Sequence, residues 1–205
     1  MENKEILTES ISDISKDDFN TALIIDNKIC FVIEESLYRV RMPNQGEQAF
    51  AESKRNLAQL EYLKQPGCIT QKQLIQQLKE SGVLDVKKLE ENKEVLLKKL
   101  KQYWFMLATK DSDNADKIVE YTQFIVTTQD ALKEISLEIA TTLSPCLESR
   151  LEKFFVEFIT NLCTEKKEND SWIPVWKTMD EFNKADSELT NKAVANMTWL
   201  LLNRR

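Results

Sequence analysis

The sequence predicts a mainly α-helical fold: a short N-terminal β-hairpin or meander, then a helical bundle with a long antiparallel helical hairpin. Three observations lead there. The chain has 205 residues but only 3 Gly and 4 Pro, too few for the glycine-dependent turns of a β-sandwich or a doubly wound α/β fold. Hydrophobic residues make up 42% and charged residues 30%, the balance of a globular chain rather than a disordered one. Beyond Asn44, apolar residues recur at three- and four-residue spacing, the period of a helix. The length suits one domain. The reading assigns 1–20 to a flexible tail and 21–205 to a single domain, with a β element at 21–43, helices including the hairpin at 44–110 and 113–143, and a C-terminal helical part at 144–205.

The elements follow in order. Residues 1–20 are rich in Ser, Asp, Glu and Lys with isolated apolar positions, which predicts a loose tail. The runs Ala22-Leu-Ile-Ile25, Lys28-Ile-Cys-Phe-Val-Ile33 and Leu37-Tyr-Arg-Val-Arg41 are β-branched and aromatic and read as two or three short strands, with Glu34-Glu-Ser36 as turn chemistry. Pro43 ends the last strand, and Asn44 is placed to cap a helix from about Gln45 to Lys64 that Pro66-Gly67 stops. Thr70 and Gln73 have capping-box spacing, and Gly82 closes the short helix they open.

Asp85 is a cap for a helix from about Val86 to Thr109, where Leu89, Leu96, Leu100, Tyr103 and Leu107 mark a helix–helix seam. After the polar break Lys110-Asp-Ser-Asp-Asn114, Ile118, Tyr121, Ile125, Leu132, Ile135 and Ile139 repeat the rhythm, with Thr128 in the gap. Two seams joined by a short turn predict an antiparallel hairpin. Ser144-Pro145 reads as the start of a core helix running to about Cys163. Glu165 to Asp170 is expected as a charged loop and Trp172-Ile-Pro-Val-Trp176 as an extended apolar segment. Thr178 opens a short helix with Phe182, and a last helix follows Asp186, its buried face marked by Leu189, Ala193, Met197 and Leu200 and its end favoured by Arg204-Arg205.

Little in the sequence supports chemistry. There is no His, which removes the commonest general base, zinc ligand and triad partner. Gly46, Gly67 and Gly82 are too far apart for a dinucleotide or P-loop fingerprint. Cys30, Cys68, Cys146 and Cys163 form no Cys-x-x-Cys pair and read as reduced structural thiols. A nucleophilic Cys163 is the sharpest enzyme alternative, since Lys or Arg can activate a thiolate. Asp111, Asp113 and Asp116 are oxygen-rich but lack the central Gly and closing Glu of a calcium loop. No catalytic, cofactor or metal residue is therefore assigned.

A formal net charge of −6 makes nucleic acid a poor first partner, although Arg39, Arg41 and the basic faces with Lys98, Lys99 and Lys101 keep a nucleic-acid-binding regulator as an alternative. The apolar runs fall far short of a membrane span. The N-terminus carries no cationic, apolar signal, so a cytoplasmic location is expected. Binding through protein surfaces remains. Tyr38, Arg39 and Arg41 alternate faces on the last strand, Tyr103, Trp104 and Phe105 make one helix apolar nearly all round, and Trp172 and Trp176 bracket Pro174. These eight residues are the candidates for partner contact, with the tryptophans divided between core and interface readings. The hairpin is expected to pack either internally or between chains as a homo-oligomer.

The run Tyr38-Arg-Val-Arg-Met-Pro43, the helix containing Ala49, Ala51 and Leu57, and Leu74 to Gly82-Val-Leu-Asp85 resemble a family of helical proteins encoded by large contractile-tailed bacteriophages. Downstream, Arg150 with Phe154 and Phe155, Leu162-Cys-Thr164, and Trp176-Lys-Thr-Met-Asp-Glu-Phe182 look like that family's C-terminal part. The resemblance spans most of Leu37 to Leu201. It departs at the longer N-terminal extension, at Met42, and at Val83-Leu84, where the family has Arg and Leu-Trp. It implies a morphogenesis role as a tail or baseplate component or a tail assembly chaperone. The partners it implies are other phage structural or assembly proteins, in the host cytoplasm or the virion, with no catalytic residue carried over.

Overall fold

The computed structural model describes residues 23–25, 27–109 and 115–203. The tail expected at 1–20, the turn with Asp111 and Asp113, and Arg204-Arg205 lie outside the described residues. In chain order the elements are β1 (Leu23–Ile25), β2 (Lys28–Ile33), β3 (Ser36–Arg41), α1 (Gln45–Leu63), α2 (Gln71–Ser81), α3 (Val86–Thr109), α4 (Ala115–Leu143), α5 (Leu147–Cys163), β4 (Thr164–Glu168), β5 (Ser171–Pro174), α6 (Met179–Lys184) and α7 (Ser187–Leu202). The fold is mainly helical and opens with an antiparallel β element, as the sequence predicts. The described residues fall into two compact units, those up to Leu60 with those from Leu151 onward, and those between Glu61 and Arg150.

The first unit is built on a five-stranded sheet in the order β1-β2-β3-β4-β5, antiparallel at every pairing. Period-two alternation sends Ile29, Phe31 and Ile33 of β2 inward with Val40 of β3. The β2–β3 turn places Glu34 and Glu35 at φ 46° and 66°. That is the left-handed pair which lets a two-residue hairpin follow the strand twist. Helices cover the inward face: Ala51 of α1, Phe158, Ile159 and Cys163 of α5, Phe182 of α6, and Ala193, Met197 and Leu200 of α7 join Trp176 in one core.

One strand corrects the sequence reading and a second sharpens it. The segment expected as a charged loop is β4, with Tyr38 opposite Lys166 and Arg39 opposite Glu165, and the extended segment with Trp172 is β5. Thr164-Glu-Lys-Lys-Glu168 contains no apolar residue, so propensity and pattern miss it. The open edge of β3 supplies the backbone partners that make it a strand. A smaller correction falls at α5, which starts at Leu147 rather than Pro145. Ser144 and Pro145 belong to the tight turn before it, where the Cys146 amide donates to Leu143 O.

In the second unit the caps behave as the sequence predicts. The Thr70 hydroxyl and Gln73 side chain exchange capping-box bonds, and Gly82 ends α2 at φ 70°, a left-handed position that suits glycine. Glu148 adds a carboxylate to the same helix start, accepting from the Gln71 amide at 2.8 Å. Val86, Leu143 and Cys146 form a small core with Leu74, Ile75, Leu78, Leu84 and Ile139. α3 and α4 pack against each other along the predicted seams. Tyr103 stacks on Phe124 with ring centroids 5.2 Å apart, and Ile125 and Thr128 are buried between the helices.

Candidate functional site

Two places stand out, one in each unit. The first is the corner where β3 turns into α1. Strand alternation puts Arg39 and Arg41 on the same side of β3, away from Val40, and the β3–β4 register sets Glu165 opposite Arg39. Glu165 accepts from Arg39 Nε at 2.5 Å and from Arg41 Nε at 3.0 Å. Arg41 then reaches Glu47 with both terminal nitrogens, at 2.7 and 2.6 Å. Asn44 and Glu47 complete a reciprocal cap at the start of α1, with each backbone amide donating to the other's side chain at 2.8 and 2.9 Å.

The arrangement sets two cations against two anions in a partly buried site, so each charge removed from water meets a hydrogen-bonded opposite. The two-pronged bond to Glu47 raises the Arg41 pKa above its usual value despite burial. The same bond from Arg41 holds the Glu47 carboxyl below the usual carboxylate range. The Arg39 guanidinium carbon lies 4.2 Å from the Trp172 ring centre, a cation–π contact.

The sulfur of Cys163 sits 3.8 Å from both Arg41 Nη1 and Glu47 Oε2. Its side chain is fully buried, and burial pushes the thiol up to about 12. A nucleophile needs a depressed pKa and access, and Cys163 has neither. The corner is a structural clamp joining β3, β4 and the α1 start to the end of α5. Its two arginines, expected to face solvent or a partner, bind the chain's own carboxylates. Sequence reasoning missed Glu47 and Glu165. Glu47 was within reach, because Asn44 and Glu47 have the three-residue spacing of a cap.

The second place is the far half of the helical hairpin. Tyr103 is half-buried and faces α4 through Phe124 and Tyr121, whose ring centre is 6.4 Å away. Trp104 and Phe105 point outward, 50% and 60% exposed. Around them Val95, Leu97, Val119, Phe124 and Val126 are also exposed. Large apolar side chains grouped in water are the kind of surface that marks an interaction site.

The remaining candidates divide. Trp176 is 6% exposed and meets Phe182 edge-on at 4.8 Å, so it is a core residue rather than a surface anchor. Tyr38 is half-buried and stacks on Phe31. Among the described residues no group of three or more acidic, Cys or His side chains is arranged to hold a metal, and no helix is long and apolar enough to cross a membrane. Compared with family models, curated proteins and solved structures, the chain matches none of them.

Proposed function

We propose that the protein is a bacteriophage morphogenesis factor, a tail or baseplate component or a tail assembly chaperone, that works by protein–protein contact. The observation that carries a contact role is the apolar hairpin with Trp104 and Phe105 in solvent, because such surface is unfavourable unless another protein covers it. The phage setting rests on the likeness of the strand-to-helix entry and the C-terminal elements to that family.

The test is quantitative mass spectrometry of purified virions together with affinity capture of the tagged chain from infected cells. A tail or baseplate component appears in the particle at fixed copy number. An assembly chaperone is absent from the particle but co-purifies with a named tail protein. Absence from both samples ends the proposal.

A further inference from the structure

We infer that the hairpin of α3 and α4 is a homodimerisation element, with two copies closing a four-helix bundle in which α3 of one copy packs on α4 of the other. Two observations point to a second copy rather than an unrelated partner. First, each helix carries an apolar pair one heptad apart beyond the seam it uses within the hairpin: Leu97 with Trp104 on α3, and Val119 with Val126 on α4, all exposed. A two-helix hairpin needs one stripe per helix, whereas a bundle needs more, because each helix meets two neighbours.

Second, the two helices carry opposite charge. α3 has six Lys against three Glu, and α4 has five acidic residues against two Lys, so the hairpin has a basic and an acidic limb. A two-fold axis that lays α3 on the partner's α4 sets +3 against −3 twice, while one that pairs like helices sets each charge against itself. Self-complementarity is what an isologous interface requires.

This inference rests on the same exposed hairpin surface as the proposed contact role; it fails on the mass of the purified chain alone, whereas the phage reading fails on virions and infected cells. Sedimentation equilibrium or native mass spectrometry of the full chain at micromolar concentration is expected to give about twice 23.9 kDa. The double variant Trp104→Glu/Val126→Glu, at exposed positions and checked for unchanged helicity, is expected to weaken association at least tenfold. Salt separates the charge term, because raising ionic strength weakens the wild-type dimer. A decisive pair follows. Lys98→Glu/Lys99→Glu/Lys101→Glu makes both limbs acidic, and Glu120→Lys/Glu134→Lys/Glu138→Lys makes both basic. Each alone is expected to be monomeric, and the mixture to form a 1:1 heterodimer. A monomer at about 100 μM wild-type chain, or a dimer indifferent to the apolar double variant and to charge reversal, overturns the proposal.

Discussion

Arg41 grips Glu47 through two parallel hydrogen bonds, and Glu47 at the same time caps the helix that follows. One carboxylate therefore fixes a strand end and a helix start, and its removal should be felt by both. Glu47→Ala is expected to cost roughly 1–3 kcal/mol, combining a broken, partly buried ion pair with a lost cap bond, read as a lower urea midpoint at unchanged slope. A midpoint within error of wild type would show the clamp to be ornamental.

The same pair sets an acid dependence. Because the folded Glu47 pKa is held below the ordinary 4.5, its contribution is complete above that value and is lost as pH falls through the depressed folded value. The stability gap between wild type and Glu47→Gln is expected to be constant at neutral pH and to shrink below about pH 4.5. A gap that persists unchanged into acid contradicts the assignment.

Cys163 gives the opposite sign. Its folded pKa is near 12 against an ordinary 9.0, so its contribution is complete below pH 9 and is lost as pH rises toward 12. Relative to Cys163→Ala, the wild type is expected to lose about 1.4 kcal/mol per pH unit across that window. At neutral pH, thiol reagents should label half-buried Cys30 and Cys68 first and reach buried Cys146 and Cys163 only as fast as the protein opens. Rapid labelling of Cys163 in the native state would reverse this picture.

Two tryptophans separate core from surface. Trp176→Ala removes a buried ring packed edge-on against Phe182 and is expected to destabilise by about 3–5 kcal/mol. Trp104→Ala, at an exposed hairpin site, is expected to stay within about 0.5 kcal/mol of wild type for the monomer. Thermal unfolding of both variants under conditions that keep the chain monomeric distinguishes them. Equal losses would misplace one of the rings.

The β2–β3 turn offers a stabilising change. Glu34 and Glu35 both sit at positive φ, a region that costs side-chain-bearing residues about 1–2 kcal/mol each. Glu34→Asn/Glu35→Gly supplies the preferred turn pair and is expected to raise the unfolding temperature by several degrees. No gain would mean that the glutamates make compensating contacts.

What the sequence reveals here is what is local. The α2 start at Thr70 and its stop at Gly82 are written within a dozen residues, and the seams of α3 and α4 repeat a simple period, so these elements are legible. β4 is not, because Thr164 to Glu168 become a strand only through pairing with β3, more than a hundred positions earlier. The clamp divides the same way. Arg41 and Glu47 are neighbours in sequence and could be paired by eye, whereas Glu165 joins them only after the sheet has formed. The outward placement of Trp104 and the inward placement of Trp176 were equally hidden, because both lie in runs of apolar residues whose faces only tertiary packing distinguishes.

The meander that reads β1 to β5 in space is interrupted between β3 and β4 by residues 42–163. During synthesis, β1 to β3 leave the ribosome early, yet the hydrogen-bonding edge of β3 has no partner until residue 168 has emerged. At about 5–20 residues per second that delay lasts on the order of ten seconds. Through that interval the nascent chain presents an unpaired strand edge, the kind that templates aggregation, which makes the early hairpin the natural point for a folding chaperone to engage and places a heavy penalty on truncations that remove β4.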